Sequence, residues 1–269
     1  MKNMNTLLFV LILSGAAFAY ADDAPYESTY KPLPYTNTIF RNANIYDGDG
    51  NEFQNTDLFI RDGKIIAIGK DLPGSSDFIE IDASNKWITP GIIDIHSHMG
   101  VYPAPSVRTS SDGNEATSPV TADVWAEHSI WVQDPQFALA LKGGVTTFHV
   151  LPGSANLIGG RGVTAKNLQR NTINSMKYPN APHSLKMACG ENPKRVYGNR
   201  NQAPSTRMGN IAGYRKSWIK AEAYLSRLDE YEAKSDEAKE IGYKPTRDLE
   251  LDTLAGVLRG EILVHNHCY

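Results

Sequence analysis

The chain has 269 residues, 41% of them hydrophobic and 21% charged, with a formal net charge of −3 and an isoelectric point near 6.2. That balance describes a soluble globular protein of one large or two smaller domains. It excludes the basic excess that nucleic-acid binding needs and offers no Lys/Arg-rich run for an anionic membrane surface; no internal repeat or low-complexity tract stands out.

At the N-terminus, Lys2 precedes the apolar run Leu7–Leu13, then small residues and two A-x-A sequences, Ala17-Phe18-Ala19 and Ala19-Tyr20-Ala21. This pattern predicts a cleaved signal peptide over residues 1–21, cut after Ala21 rather than Ala19, directly before Asp22-Asp23. The apolar run is far short of the ~20 residues a membrane span requires, and no cysteine is near enough to carry a lipid anchor. The mature protein is therefore expected to be periplasmic or secreted, with no membrane attachment after cleavage. A Pro- and Tyr-rich linker follows over 22–36.

Residues 37–88 read as a small antiparallel β-sandwich subdomain, with β runs at Thr38–Phe40, Ala43–Tyr46, Asp57–Ile60 and Lys64–Ile68. Asp62-Gly63 between two apolar runs is a strong hairpin signal. From residue 89 onward strands alternate with helices, which argues for parallel βα units. The strands are Ile92–His96, Val145–Leu151, Leu185–Cys189 and Glu261–His267. A Pro/Ser/Thr/Asp-rich loop spans Tyr102 to Asp123, and helices are expected over Asp134–Leu141, Ser217–Glu240 and Leu249–Leu258. Gly159-Gly160-Arg161-Gly162 lacks the ending of a phosphate loop and reads as a flexible active-site loop.

Two strands end alike. Pro90-Gly-Ile-Ile-Asp-Ile-His96-Ser-His98 and Val264-His265-Asn266-His267 each place two histidines two residues apart. In a strand, i and i+2 share a face, so each pair of imidazoles points one way. Neutral imidazole is the commonest metal ligand, and strand ends are where barrel enzymes collect active-site residues. Packed or surface histidines are the alternative. Glu191, after the third strand, is either a further ligand or a loop carboxylate paired with Lys194 or Arg195. The two cysteines, Cys189 and Cys268, make no disulfide framework and read as free, buried residues at strand ends.

The opening His-x-His strand resembles the first barrel strand of the amidohydrolase superfamily. Asp112–Ala116, Gly143–Thr147, Leu151–Gly160 and Gly190–Arg195 look like a branch related to imidazolonepropionases, and the likeness runs from Ile39 to Tyr269. The resemblance implies an α/β fold, a (β/α)8 TIM-type barrel of which residues 89–269 hold only the N-terminal strands, preceded by the β-sandwich subdomain. It implies a divalent metal, zinc by ligand type, as one ion or a bridged pair. By motif position the ligands are His96, His98, Glu191 and His267. His265, His149, Arg161 and Lys166 are secondary candidates for contacting substrate, while His128 and His183 read as surface residues.

The reaction implied is metal-assisted hydrolysis of a C–N bond in an amide, cyclic amide or dipeptide-like substrate, small molecule or short peptide. A further strand-end His and a general-base Asp belong to such a site and are expected beyond Tyr269, because residues 89–269 fall well short of the ~250 of a full barrel. The simplest expectation is the N-terminal part of a longer enzyme; a naturally short protein is the other. A catalytically inactive metal-binding or partner-binding fragment is the competing functional reading, and homo-oligomerisation stays open.

Overall fold

A computed structural model describes residues 27–269, so the signal-peptide reading falls outside the described residues. The first unit is a five-stranded sheet built from β1 (Thr38–Tyr46), β2 (Glu52–Arg61), β3 (Lys64–Gly69), β4 (Ile79–Asp82) and β5 (Trp87–Ile88). The order is β3-β2-β1-β4, with β5 also on β1. β1, β2 and β3 are antiparallel, but β4 and β5 run parallel to β1, so the sheet is mixed rather than purely antiparallel. The β2–β3 turn is the expected Asp62-Gly63 pair, with φ of 50° and 71°, the all-positive backbone that suits a hairpin's twist. Ala43, Ile45, Leu58 and Ala83 form its buried core.

The second unit is a curved five-stranded sheet of order β10-β9-β8-β7-β6. Its strands are β6 (Ile92–Ser97), β7 (Val145–Val150), β8 (Ile158–Lys166), β9 (Ser184–Cys189) and β10 (Leu263–Cys268). β6–β7 and β9–β10 are parallel pairs, as the alternation of strands and helices predicts. β8 is an insertion antiparallel to both β7 and β9. It absorbs the Gly159–Gly162 run that reads in sequence as a loop. Glycines carry no β signal, but here they let β8 lie close under its neighbours: a side chain at Gly160 would strike the Val124 backbone.

Five helices accompany this sheet: α1 (Pro135–Lys142), α2 (Glu191–Gly198), α3 (Arg207–Glu232), α4 (Asp236–Ile241) and α5 (Leu249–Leu258). Four of them start at side-chain caps, Asp134, Thr206, Ser235 and Asp248, each accepting a backbone N–H of the first turn, while α2 starts at Gly190 without one. The Thr206 cap starts α3 about ten residues before the expected Ser217, and Ser235 separates the charged tail as α4. Leu157, Ile158, Leu185, Met187, Ala221 and Leu254 pack α3 and α5 against β8 and β9. A second cluster joins Phe137 of α1 to Phe148, Val150, Val163 and Ala165. The two edge strands are less covered: Ile93 and Ile95 of β6 are 64% and 68% exposed, Leu263 of β10 57%. No described helix is long and apolar enough to cross a membrane.

Candidate metal and substrate site

β6 and β10 sit at opposite edges of the sheet, yet its curvature brings their histidines together. The His96 ring lies 5.2 Å from His98, 4.8 Å from His265 and 5.0 Å from His267, centroid to centroid. β10 pairs in register with β9, His265 opposite Lys186 and His267 opposite Ala188. Lys186 is fully buried, and its Nζ donates to His96 Nε2 at 2.9 Å. A buried lysine needs such a partner, because its ammonium leaves water at high cost. Burial pushes the Lys186 amine down to about 8.

The same burial keeps the imidazoles neutral. His96 is pushed down to about 4, chiefly by desolvation, with the Lys186 charge and the neighbouring imidazoles adding to it. Desolvation also lowers His98, His265 and His267. His98 Nδ1 donates to the Leu151 carbonyl at 2.9 Å, which fixes the tautomer and leaves Nε2 with its lone pair. His267 Nδ1 is buried without a hydrogen-bond partner.

These features suit a divalent metal by donor type: neutral nitrogen donors from two strand ends, one with its tautomer set and one with an orphaned nitrogen. The donors are gathered rather than closed into a shell. Among the described residues, no group of three or more His, Cys, Asp and Glu side chains is arranged to hold an ion.

The other candidate residues part company with the site. Glu191 takes the loop-carboxylate pairing that its sequence left open: its side chain is 55% exposed and accepts from Arg195 Nε at 2.7 Å. Gly190, at φ +78°, turns the chain between β9 and α2, so the carboxylate leaves along the helix while Lys186, on the strand itself, meets the histidines. Sequence reasoning passed over Lys186, though a lysine inside an otherwise apolar buried strand was the available signal. His149 is occupied on both sides, Nδ1 by Thr164 Oγ1 at 2.8 Å and Nε2 by Ser184 Oγ at 2.6 Å, and it bridges β7 to β8 and β9. Arg161 is buried, donates to Thr253 Oγ1 of α5 at 2.9 Å and lies over the Trp125 ring, so it packs a helix onto the sheet. Lys166 Nζ sits over the Tyr178 ring at 4.7 Å. His183 stands 5.4 Å from Trp125, ring to ring.

Cys189 and Cys268 also depart from expectation, being joined in a disulfide. They are register partners on adjacent parallel strands, with Cα atoms 4.5 Å apart, within the span a disulfide bridges. That adjacency is a property of the strand order and cannot be read from a separation of 79 residues.

Beside His98 opens a cavity of about 280 Å³ lined by Tyr102, Asn114, Ser154, Asn192 and Arg195. Its wall is tied by Asn192 Nδ2 donating to Ser154 Oγ at 2.8 Å, by the Ala155 N–H donating to Asn114 Oδ1 at 3.1 Å, and by Asn114 to the Tyr102 hydroxyl.

No protein-family model matches the chain. Against curated proteins it is 33% identical over 264 residues to the amidohydrolase tasK of Hapsidospora irregularis, covering 86% of this chain and 26% of that one. It is 44% identical over 63 residues to a dihydroorotase of Ligilactobacillus salivarius, covering 23% of this chain and 14% of that enzyme. Among solved structures it superposes on an amidohydrolase from Thermotoga maritima with a TM-score of 0.74 and 36% identity, over 86% of this chain and 57% of the other. The chain thus spans about a quarter of the first of these relatives and just over half of the solved one. The sheet pair, the curved half-barrel and these likenesses agree: the chain belongs to the amidohydrolase superfamily and carries the N-terminal part of its fold.

Proposed function

We propose that the chain supplies the first part of a divalent-metal-dependent hydrolase site acting on C–N bonds of amide, cyclic-amide or dipeptide-like small molecules. What carries this reading is the gathering of His98, His265 and His267 around His96, four neutral imidazoles from two strand ends. His96, His98 and His267 are the first-choice holders of the ion, with zinc the favoured metal, as one ion or two; His265 and Lys186 stand close enough to share the task. A dihydroorotase among the relatives, itself a C–N hydrolase, supports the reaction class.

When bound, the metal supplies a nucleophilic hydroxide at neutral pH and polarises the substrate carbonyl. The protein's own part is positioning. The Leu151 carbonyl orients the His98 ring, and the β9–β10 pairing sets His265 and His267 beside His96. Asn114, Ser154 and Asn192 offer hydrogen bonds to an amide lodged next to His98. The general-base Asp expected of the family is part of the proposal for the whole enzyme, not of the described residues.

Export completes the reading. The signal-like N-terminus predicts it, and a disulfide is a bond that persists in oxidising compartments.

The test is metal content by mass spectrometry after zinc loading and desalting, alongside hydrolysis of N-acyl amino acids and cyclic amides. Retention of stoichiometric zinc that falls in His96→Ala, His98→Ala and His267→Ala is the expected result. Zinc content equally low, or equally high, in the parent chain and all three variants refutes it.

A further inference from the structure

The cavity beside His98 has one charged side chain on its described lining, and that is Arg195. It belongs to α2, whose Asn192, Arg195 and Val196 recur at i, i+3 and i+4 and so form one wall. Its guanidinium is held from behind. Nε donates to Glu191 Oε1 at 2.7 Å and Nη2 to Asn192 Oδ1 at 3.3 Å, both on the same helix.

Arg195 thus sets a cation on the wall of a small polar hollow, and the guanidinium fork, with five N–H donors, matches a carboxylate in two-point contact. The Glu191 pair does not compete strongly. Both side chains are more than half exposed, at 59% and 55%, and an exposed pair one helical turn apart is weak. It keeps the arginine extended without spending its remaining donors. At about 280 Å³ the cavity is the size of an amino-acid derivative. The remaining lining, Asn114, Ser154 and Asn192, is neutral and suited to an amide.

We propose that Arg195 is a specificity-determining residue that reads a free carboxylate, so that the ligands of this cavity are carboxylate-bearing amides of the N-acyl amino acid or dipeptide type. This rests on the proposed function for the identity of the neighbouring centre, but the carboxylate contact itself needs no metal. Neutral cyclic amides then fit the cavity less well than their acidic counterparts.

The test titrates the metal-free 269-residue chain by NMR with N-acetyl-L-leucine and, separately, with N-acetyl-L-leucinamide, which differ only in the carboxylate. The acid is expected to bind about tenfold more tightly than the amide. Arg195→Gln should reduce the acid to the level of the amide and leave the amide unchanged, while Arg195→Lys should keep part of the preference. Glu191→Gln, which frees the guanidinium, should strengthen the acid alone. Equal binding of the two ligands, a preference that survives Arg195→Gln, or binding of neither overturns the proposal.

Running the same titration in His96→Ala separates the two claims. A preference that needs Arg195 and survives His96→Ala supports the carboxylate reading even in a protein that takes up no zinc. Zinc retention and amide hydrolysis with no dependence on Arg195 overturn it and leave the hydrolase proposal standing.

Discussion

Reducing the Cys189–Cys268 bond, or replacing Cys268 with Ser, should destabilise the chain by about 4 kcal/mol. The bond closes a loop with a sequence separation of 79 residues, and the loop-closure relation then gives roughly 4.5 kcal/mol at 25 °C, toward the top of the ~2–5 range measured for native disulfides. The effect is concentrated on β10. That strand is an edge, paired only with β9, with Leu263 57% and Val264 48% exposed, so little apolar burial holds it once the covalent link is gone. Urea unfolding followed by tryptophan fluorescence, with and without reductant, measures the change. At a slope of ~2–3 kcal/mol/M the midpoint should fall by roughly 1.5–2 M. Cys189→Ser should match Cys268→Ser, and reductant should do nothing further to either variant. A midpoint that moves by less than the equivalent of ~1 kcal/mol refutes the argument that this bond anchors β10.

Other outcomes follow from the same contacts. His149 is pushed by burial down to about 4 from an ordinary 6.5, so the unfolded chain binds its proton first and stability should fall as pH drops from 6.5 toward 4, by up to about 3 kcal/mol. His149→Gln should flatten that acid limb in pH-dependent urea titrations, and an unchanged limb overturns the assignment. Phe148→Ala, at a fully buried core position, should cost about 3–5 kcal/mol by thermal or urea unfolding, and a cost under ~1 kcal/mol would contradict the packing described for α1. Sequencing the N-terminus of protein collected from outside the cytoplasm should read Asp22-Asp23 if export and cleavage after Ala21 are correct, and Met1 if they are not.

Sequence pattern carried the fold a long way because its signals are local. Asp62-Gly63 made a hairpin, alternating apolar residues made β1 to β3, and the four barrel strands named from sequence all formed. β8 escaped because Gly159-Gly160-Arg161-Gly162 reads as a loop, while the use of Gly160 beneath Val124 depends on a neighbour elsewhere in the chain. In the candidate site, His96, His98, His265 and His267 were legible from the i, i+2 rule, and the structure gathers all four. Glu191 and Lys186 differ in direction: the Gly190 turn sends the carboxylate out along α2, while Lys186, inside β9, meets His96. His149 and Arg161 found buried partners on β8, β9 and α5, contacts that exist only once those elements are assembled.

The meeting of β6 and β10 has a temporal side. His96 stands on the first strand of the curved sheet and His265 and His267 on the last, so the imidazole cluster cannot form until β7, β8 and β9 have been laid down between them. Contacts so remote along the chain are costly to close and tend to form slowly. An ion held by His96 together with His265 or His267 binds only chains in which this sheet has formed, and its binding free energy becomes folding free energy. Metal uptake here would therefore act as a checkpoint on synthesis, rewarding complete sheets and passing over partial ones.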